Sequence, residues 1–175
     1  FGEEWKKFNQ RNLDEIESEK LFNNYFSIFP WEKIGKSAVG FDLGCGSGRW
    51  AKIASKKVHK LYCIDPSTEA LKVARKNLKN NLNCEFLNNG VGDFPLDNNS
   101  MDFGYSLGVL HHIPNTYEGI KSCVNKLKKN APFLIYLYYA FDNRPWIFRQ
   151  IWKFSNLFRI VISALPFFLR YPLTQ

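Results

Sequence analysis

Three glycines within five residues follow an apolar run that ends in an acid. In the stretch "VGFDLGCGSGRW", Asp42 precedes Gly44, Gly46 and Gly48. Glycine lets the backbone approach a ligand closely because it has no side chain to block the approach. A carboxylate two residues before the first glycine would repel a pyrophosphate and attract an ammonium group. The stretch therefore predicts a binding loop for a ligand with a positively charged end.

The glycine spacing differs from the dinucleotide fingerprint Gly-x-Gly-x-x-Gly. The third glycine comes one residue early, and Arg49 stands where the fingerprint has glycine. This spacing and Asp42 argue against a nicotinamide-dependent oxidoreductase, which stays an alternative enzyme class. Taken alone, the loop could also be a tight turn from a strand to a helix without any ligand.

The elements that would position this loop alternate along the chain. Strands are predicted at 38–43, 60–65, 84–88, 101–107 and 133–139, with helices from Arg49, at 67–80 and at 117–129. Such alternation is typical of a parallel sheet with helices on both faces, and right-handed crossovers make it doubly wound. We therefore predict an α/β fold with a doubly wound, mostly parallel sheet. Its ligand crevice should lie at the carboxyl ends of the strands.

In these residues the chain resembles the class I S-adenosylmethionine-dependent methyltransferases, whose first motif is an acid followed by Gly-x-Gly-x-Gly. The resemblance implies a Rossmann-like fold, S-adenosyl-L-methionine as cofactor and S-adenosyl-L-homocysteine as product. Three further motifs follow in the family's order: an acid for the ribose hydroxyls, an acid and an aromatic ring for the adenine, and a fourth strand beside the methionine end. The residues that the resemblance assigns to cofactor binding are Asp42, Gly44, Cys45, Gly46, Gly48, Asp65, Pro66, Asp93, Phe94 and Ser106.

Two adjacent histidines are the candidate catalytic residues. The sulfonium of the cofactor already activates the methyl group, so the protein has to align a nucleophile and exclude water. A base helps when the nucleophile is a hydroxyl, and His111 and His112 follow the fourth strand, near the inferred methyl group. We predict that one of them is this base. The alternative is that the pair orients the loop or packs against the cofactor.

The acceptor is expected to be a small molecule or a glycan-like compound that is methylated on oxygen. Ser106, Leu107 and Gly108 replace the Asn/Asp-Pro-Pro-aromatic run that amino-group methyltransferases of this superfamily use. No basic stripe with stacking aromatic residues surrounds the inferred site, which argues against a nucleic-acid partner.

The chain starts with "FGEEW" and continues after the fifth strand with "YLYYAFDNRPWIFRQIWKFSNLFRIVISALP". Both stretches resemble a subset of bacterial methyltransferases that are often encoded with glycan biosynthesis genes. This second resemblance implies that several residues near the ends close over the acceptor, and Arg144 could bind a phosphate or carboxylate on it. Packing in the core or in a cap is the alternative for each aromatic residue. The residues concerned are Trp5, Phe8, Tyr138, Tyr139, Asn143 and Arg144.

The segment 144–169 predicts an amphipathic helix. Apolar residues at 147, 151, 154, 158, 161 and 165 step by four and three, whereas Arg149, Lys153, Asn156 and Ser163 lie on another face. Its charges and Pro166 interrupt it too often for a membrane span. Three interpretations stay open: an insertion that covers the substrate, which fits the resemblance best, a helix in peripheral contact with a membrane surface, or a dimer contact.

Composition limits the remaining alternatives. The 175 residues fit one continuous core, and 45% hydrophobic and 17% aromatic residues are a globular composition. Four scattered cysteines without a Cys-x-x-Cys pair predict neither a zinc site nor a redox dithiol, so no metal is expected. Reduced thiols and the absence of a signal-peptide pattern predict a cytoplasmic protein. The resemblance to bacterial methyltransferases implies a bacterial enzyme. The net charge of +8 could favour nucleic acid or an anionic membrane surface, but charge concerns association and not the fold. The oligomeric state is left open.

Three segments are predicted: a helical N-terminal cap at 1–36, a cofactor-binding core at 37–140, and an amphipathic helical lid or insertion at 141–175. The family fold normally ends with two further strands, for which this chain has no sequence. Truncation is the favoured explanation, and coverage of the open sheet edge by the amphipathic segment or by a partner is the alternative. The alternative function is a non-catalytic module that binds S-adenosylmethionine or S-adenosylhomocysteine and associates with a membrane.

Overall fold

The computed structural model describes residues 15–138 and 144–164, apart from the side chains of Leu157, Val161 and Ser163. Its centre is a five-stranded parallel sheet with the strand order β3-β2-β1-β4-β5. The strands are β1 (Val39–Leu43), β2 (Lys60–Ile64), β3 (Cys84–Leu87), β4 (Phe103–Leu107) and β5 (Phe133–Tyr136). The predicted α/β class and the parallel sheet are confirmed, and the strand order reverses between β1 and β4.

Six α-helices are described. They are α1 (Glu15–Tyr25), α2 (Trp31–Ile34), α3 (Ala51–Ala54), α4 (Thr68–Asn77), α5 (Thr116–Lys126) and α6 (Trp146–Ala164). Side chains cap two of them: Ser67 accepts the Ala70 N–H at the start of α4, and Asn115 accepts the Glu118 N–H at the start of α5, both at 3.2 Å. These caps explain where α4 and α5 begin.

Two reciprocal contacts between glycine and an aromatic ring join β1 to β4. In the register of the two strands, Gly40 pairs with Phe103 and Phe41 pairs with Gly104. A Cβ atom on either glycine would overlap the ring of the paired phenylalanine. Glycine at these positions therefore lets each ring pack closely against the neighbouring strand. The same register pairs Asp42 with Tyr105 near the carboxyl ends of the strands.

Side chains alternate between the two faces of the sheet, so each face has its own hydrophobic core. The core that includes α1 contains Phe22, Phe26, Leu61, Cys63, Phe103 and Tyr105. The core on the other face contains Phe41, Leu43, Ile64, Phe94, Leu110 and Cys123. Because Asp42 lies between Phe41 and Leu43 in β1, its side chain belongs to the α1 face.

The chain divides into two compact units, residues 1–137 and 138–175. The described part of the second unit consists of Tyr138, Arg144, Pro145 and α6. Within the described ranges, no helix has both the length and the apolarity that crossing a bilayer requires. The division into three segments at 36/37 and 140/141 stays a prediction.

Candidate functional site

The glycine loop, residues 44–48, begins directly after β1 and is tied to the next strand. The N–H groups of Gly44 and Cys45 both donate to the carbonyl of Ile64, at 2.7 and 3.1 Å. Gly44 and Gly48 have φ values of +77° and +78°, which residues other than glycine rarely adopt. A Cβ at Gly44 would also overlap Val109. The loop can therefore hold this course only with glycine at these positions.

Asp65, directly after β2, faces this loop. Its Oδ2 accepts the N–H of Gly46 and its Oδ1 accepts the N–H of Ser67, each at 2.9 Å. Asn88 donates its amide to the carbonyl of Asp65 at 3.0 Å, which anchors the backbone. A carboxylate has about four acceptor positions, so both oxygens can accept a further hydrogen bond. The adjacent Pro66 is exposed. Both oxygens of Asp65 could therefore accept hydrogen bonds from hydroxyl donors beside the loop.

Asp42 is a buried acid at the same edge. It is 1% exposed, and its Oδ2 has no hydrogen-bond partner among the described residues. Burial raises the pKa of the Asp42 carboxyl well above its usual range, the Tyr105 hydroxyl opposes this rise, and the charge of Asp65 adds to it. Burial and the charge of Asp42 likewise raise the pKa of Tyr105. A nearby cation, such as an ammonium group, would stabilise the ionised form of Asp42.

The residues predicted to contact the base are placed differently from one another. Asp93 is exposed in the loop after β3, where its Oδ1 accepts the N–H of Gly90 at 2.9 Å. Phe94 is 2% exposed and packs in the second core, with its ring centroid 5.8 Å from that of Phe41. Because Phe94 is almost fully buried, its ring has little accessible surface with which to cover an adenine. The two adenine contacts stay predictions.

Ser106 and the histidine pair lie at the end of β4. The hydroxyl of Ser106 is buried and donates to the carbonyl of Leu43 at 3.0 Å, which joins β4 to β1. His111 and His112 end a short 3-10 turn, and their ring centroids are 4.0 Å apart. Burial and the charge of His112 lower the pKa of His111. At neutral pH its imidazole is therefore uncharged, the form that can accept a proton.

Asp42, the glycine loop, Asp65, Ser106 and the two histidines therefore lie at or after the carboxyl ends of β1, β2 and β4, which share one edge of the parallel sheet. Two of the six predicted acceptor residues are described, and both belong to the second unit. Tyr138 is 65% exposed, and the Arg144 guanidinium lies 5.8 Å from the ring centroid of Phe148. The other four lie outside the described residues: Trp5, Phe8, Tyr139 and Asn143.

An aromatic wall beside the glycine loop was not predicted. It consists of Tyr25 at the end of α1, Trp50 after the loop and Tyr136 at the end of β5. The ring centroid of Tyr25 lies 4.8 Å from Trp50 and 5.4 Å from Tyr136. The Arg49 guanidinium stacks on Trp50 at 4.4 Å. Three separate elements supply these rings, so the high aromatic content was the sole signal for them in the sequence.

Comparison with known proteins places the chain in a family. Residues 41–135 match a family described as a methyltransferase domain. The tRNA (carboxymethyluridine(34)-5-O)-methyltransferase of Schizosaccharomyces pombe is 25% identical over 155 residues, which cover 73% of this chain and 63% of that protein. The ubiquinone biosynthesis O-methyltransferase of Glaesserella parasuis is 32% identical over 108 residues, which cover 58% and 45% of the two chains. The chain thus spans less than two thirds of the length of either relative.

Among solved structures, the YcgJ protein of Bacillus subtilis superposes with a TM-score of 0.59 at 20% identity, covering 65% of this chain and 50% of that one. This likeness supports the fold alone. The family match covers more than half of the chain and includes the glycine loop, Asp65 and both histidines. S-adenosyl-L-methionine is the methyl donor that this family implies. The chain therefore belongs to the methyltransferase domain family, within the class I S-adenosylmethionine-dependent methyltransferases.

Proposed function

We propose that the protein transfers the methyl group of S-adenosylmethionine to an oxygen atom of a small-molecule or glycan-like acceptor. The observation that carries the proposal is the placement of two buried carboxylates, Asp42 and Asp65, around the glycine loop. The oxygen acceptor is supported by the names of the two relatives, each of which describes an O-methyltransferase.

The two carboxylates have separate tasks in the proposal. Asp65 would accept hydrogen bonds from the ribose hydroxyls, with its orientation set by the N–H groups of Gly46 and Ser67. Asp42 would pair with the ammonium group of the methionine moiety. The positive charge of this group would compensate the buried negative charge of the Asp42 carboxylate. Asp93 would accept a hydrogen bond from the adenine amine, and the buried Phe94 would support the loop that carries Asp93.

The chemical step requires alignment and proton removal. When bound, the cofactor supplies a methyl group that its sulfonium has activated. His111, uncharged at neutral pH, would accept the proton of the acceptor hydroxyl, which would make the acceptor oxygen a stronger nucleophile toward the donated methyl group. His112, whose ring centroid is 4.0 Å away, is the alternative base.

The aromatic wall supports an acceptor that contains a ring. Tyr25 and Tyr136 are 39% and 43% exposed, so both rings have accessible surface beside the loop. Aromatic side chains with a polar tip bind the apolar faces of rings and leave a hydrogen-bonding group at the edge. We therefore place the ring of the acceptor against Tyr25 and Tyr136. The contributions of Tyr138 and Arg144 to the acceptor site stay predictions.

A calorimetric titration with S-adenosylhomocysteine tests the cofactor half of the proposal. The Asp65→Ala variant should bind about 5 to 150 times more weakly, because a charge-assisted hydrogen bond contributes about 1–3 kcal/mol. Asp97→Ala is the matched control, since Asp97 is exposed at the opposite end of the sheet. Equal affinities of the Asp65→Ala variant and the wild type would remove Asp65 from the site.

Turnover tests the acceptor half. We would incubate the chain with S-adenosylmethionine and panels of hydroxyl, carboxylate and amine acceptors that carry rings, and measure the S-adenosylhomocysteine formed. The proposal expects turnover with oxygen acceptors. Turnover with amines alone would contradict it, and binding without turnover on any panel would favour the non-catalytic module.

A further inference from the structure

Helix α6 carries an apolar stripe that is largely exposed. Ile147, Ile151, Phe154 and Phe158 are spaced by four, three and four residues, which places them on one side of the helix. Their exposed fractions are 53%, 60%, 67% and 57%. The rings of Phe154 and Phe158 meet edge to face at 5.4 Å, so the stripe is continuous. Contiguous apolar surface of this kind marks an interaction site.

The charges of α6 indicate which partner this stripe would bind. Residues 146–164 contain three basic side chains and no acidic one. By helical periodicity, Arg149 and Lys153 lie on the side of the helix opposite the stripe, and Arg159 lies between the two sides. Trp146 and Trp152 are 72% and 43% exposed, and tryptophan favours the headgroup level of a bilayer. A basic face, an apolar stripe and tryptophans together are the composition of a helix that lies in a membrane interface.

The same composition excludes a helix that crosses the bilayer. The 19 residues of α6 span about 28 Å at 1.5 Å per residue, but the cations at 149, 153 and 159 would lie inside the hydrocarbon. In the plane of the interface, these cations can stay at the level of the lipid phosphates while the stripe enters the acyl region.

We propose that α6 binds peripherally to a membrane surface that contains anionic lipids. The stripe of Ile147, Ile151, Phe154 and Phe158 would contact the acyl chains, and the basic side chains would pair with the headgroup phosphates. The proposal uses no residue of the candidate methyltransferase site. Its failure would therefore leave the proposed function unaffected, and the reverse also holds.

Sedimentation with lipid vesicles tests this proposal on the full 175-residue chain. Vesicles of phosphatidylcholine and phosphatidylglycerol in equal parts should bind it at least about tenfold more strongly than vesicles of phosphatidylcholine alone. Binding to the anionic vesicles should weaken as salt screens the charges. Equal binding to both kinds of vesicle would overturn the role of the cations.

Two double variants separate the contributions of the stripe and the charges. Phe154→Glu/Phe158→Glu should lower the vesicle partition coefficient by about a hundredfold, since two large apolar side chains no longer enter the bilayer. Arg149→Gln/Lys153→Gln should lower it by about tenfold on anionic vesicles only. Leu82→Glu is the matched control: Leu82 is 94% exposed in the first unit, and its replacement should change nothing.

Helicity and melting temperature must first show that each variant folds. If Phe154→Glu/Phe158→Glu fails, Ile147→Gln/Ile151→Gln takes its place. The proposal would be overturned if the folded wild type did not bind anionic vesicles. It would also be overturned if the stripe variants bound them as tightly as the wild type. A dimer, seen by light scattering, that the stripe variants dissociate would overturn it too, because the stripe would then bind a second copy of the chain.

Discussion

Replacing Asp42 with asparagine should stabilise the chain at neutral pH and weaken its binding of S-adenosylhomocysteine. Asp42 is 1% exposed and its Oδ2 accepts no hydrogen bond from the described residues. Burial raises the pKa of this carboxyl, against the effect of the Tyr105 hydroxyl and together with the charge of Asp65. Asparagine has nearly the same shape and carries no charge, so folding no longer has to desolvate a carboxylate.

The pH dependence gives the size of the stabilisation. The folded chain keeps the Asp42 proton at pH values where the unfolded chain has lost it. The stability from this group is therefore complete below the ordinary pKa of 3.8 and is lost as the pH rises toward the folded pKa. The loss is about 1.4 kcal/mol per pH unit in this window. The Asp42→Asn variant does not lose this stability. The difference between its melting temperature and that of the wild type should therefore increase by about 3–6 °C per pH unit in this window.

The effect on binding has the opposite sign. Asparagine cannot neutralise an ammonium group, and a hydrogen bond between charged groups contributes about 1.5–3 kcal/mol. The affinity for S-adenosylhomocysteine should therefore fall by about 10- to 150-fold. A buried charge that is kept for binding should lower the stability of the free chain and raise its affinity for the ligand, so that its removal has the two opposite effects.

Urea unfolding at several pH values between about 4 and 7, with calorimetry for binding, checks both effects. Asp97→Asn serves as the control, because Asp97 is exposed and lies away from the site. Stability profiles of the wild type and Asp42→Asn that run parallel with pH would refute the account of a buried carboxyl with a raised pKa. An unchanged affinity for S-adenosylhomocysteine would refute its pairing with the ammonium group.

Two further substitutions test the loop and the base. Gly44→Ala should destabilise the chain by about 1–3 kcal/mol and reduce S-adenosylhomocysteine binding, because Gly44 has a φ of +77° and a Cβ there meets Val109. Gly92→Ala, with no atom within 4 Å of the added Cβ, should change the melting temperature little, and equal losses in both variants would count against the loop geometry. His111→Gln should lower kcat by about 10²- to 10⁴-fold while cofactor affinity is kept. Because the pKa of His111 is lowered from 6.5, wild-type activity should fall with acid only below that pH, and an acid limb that persists in the variant would point to another base.

The alternation of strands and helices was sufficient to predict the sheet. The first four observed strands end within one residue of the prediction, because an Asp, Asn or Gly marks the end of each run. The fifth strand ends at Tyr136, short of the predicted 139, and its apolar run contains no such residue. The helix predicted from Arg49 instead begins at Ala51 and gives way to a 3-10 turn after four residues. Left-handed backbone at Gly44, Gly46 and Gly48 delays the helix start, and a conformation of this kind is hard to place from sequence.

The candidate site could be predicted in part. The motif order brought Asp42, Asp65 and the glycine loop to one edge, because each follows its own strand. The hydrogen bond from Gly46 to Asp65 joins residues 19 apart in sequence, and the burial of Phe94 depends on packing with Phe41. Such contacts arise from tertiary structure, and the periodicity of the sequence contains no record of them.

The most direct test of the central claim is a calorimetric titration of the wild-type chain with S-adenosylhomocysteine and, in parallel, with NADH. The glycine spacing and the buried Asp42 predict micromolar binding of S-adenosylhomocysteine and much weaker binding of NADH. Tighter binding of NADH would contradict the account, as would a chain that melts cooperatively and yet binds no S-adenosylhomocysteine.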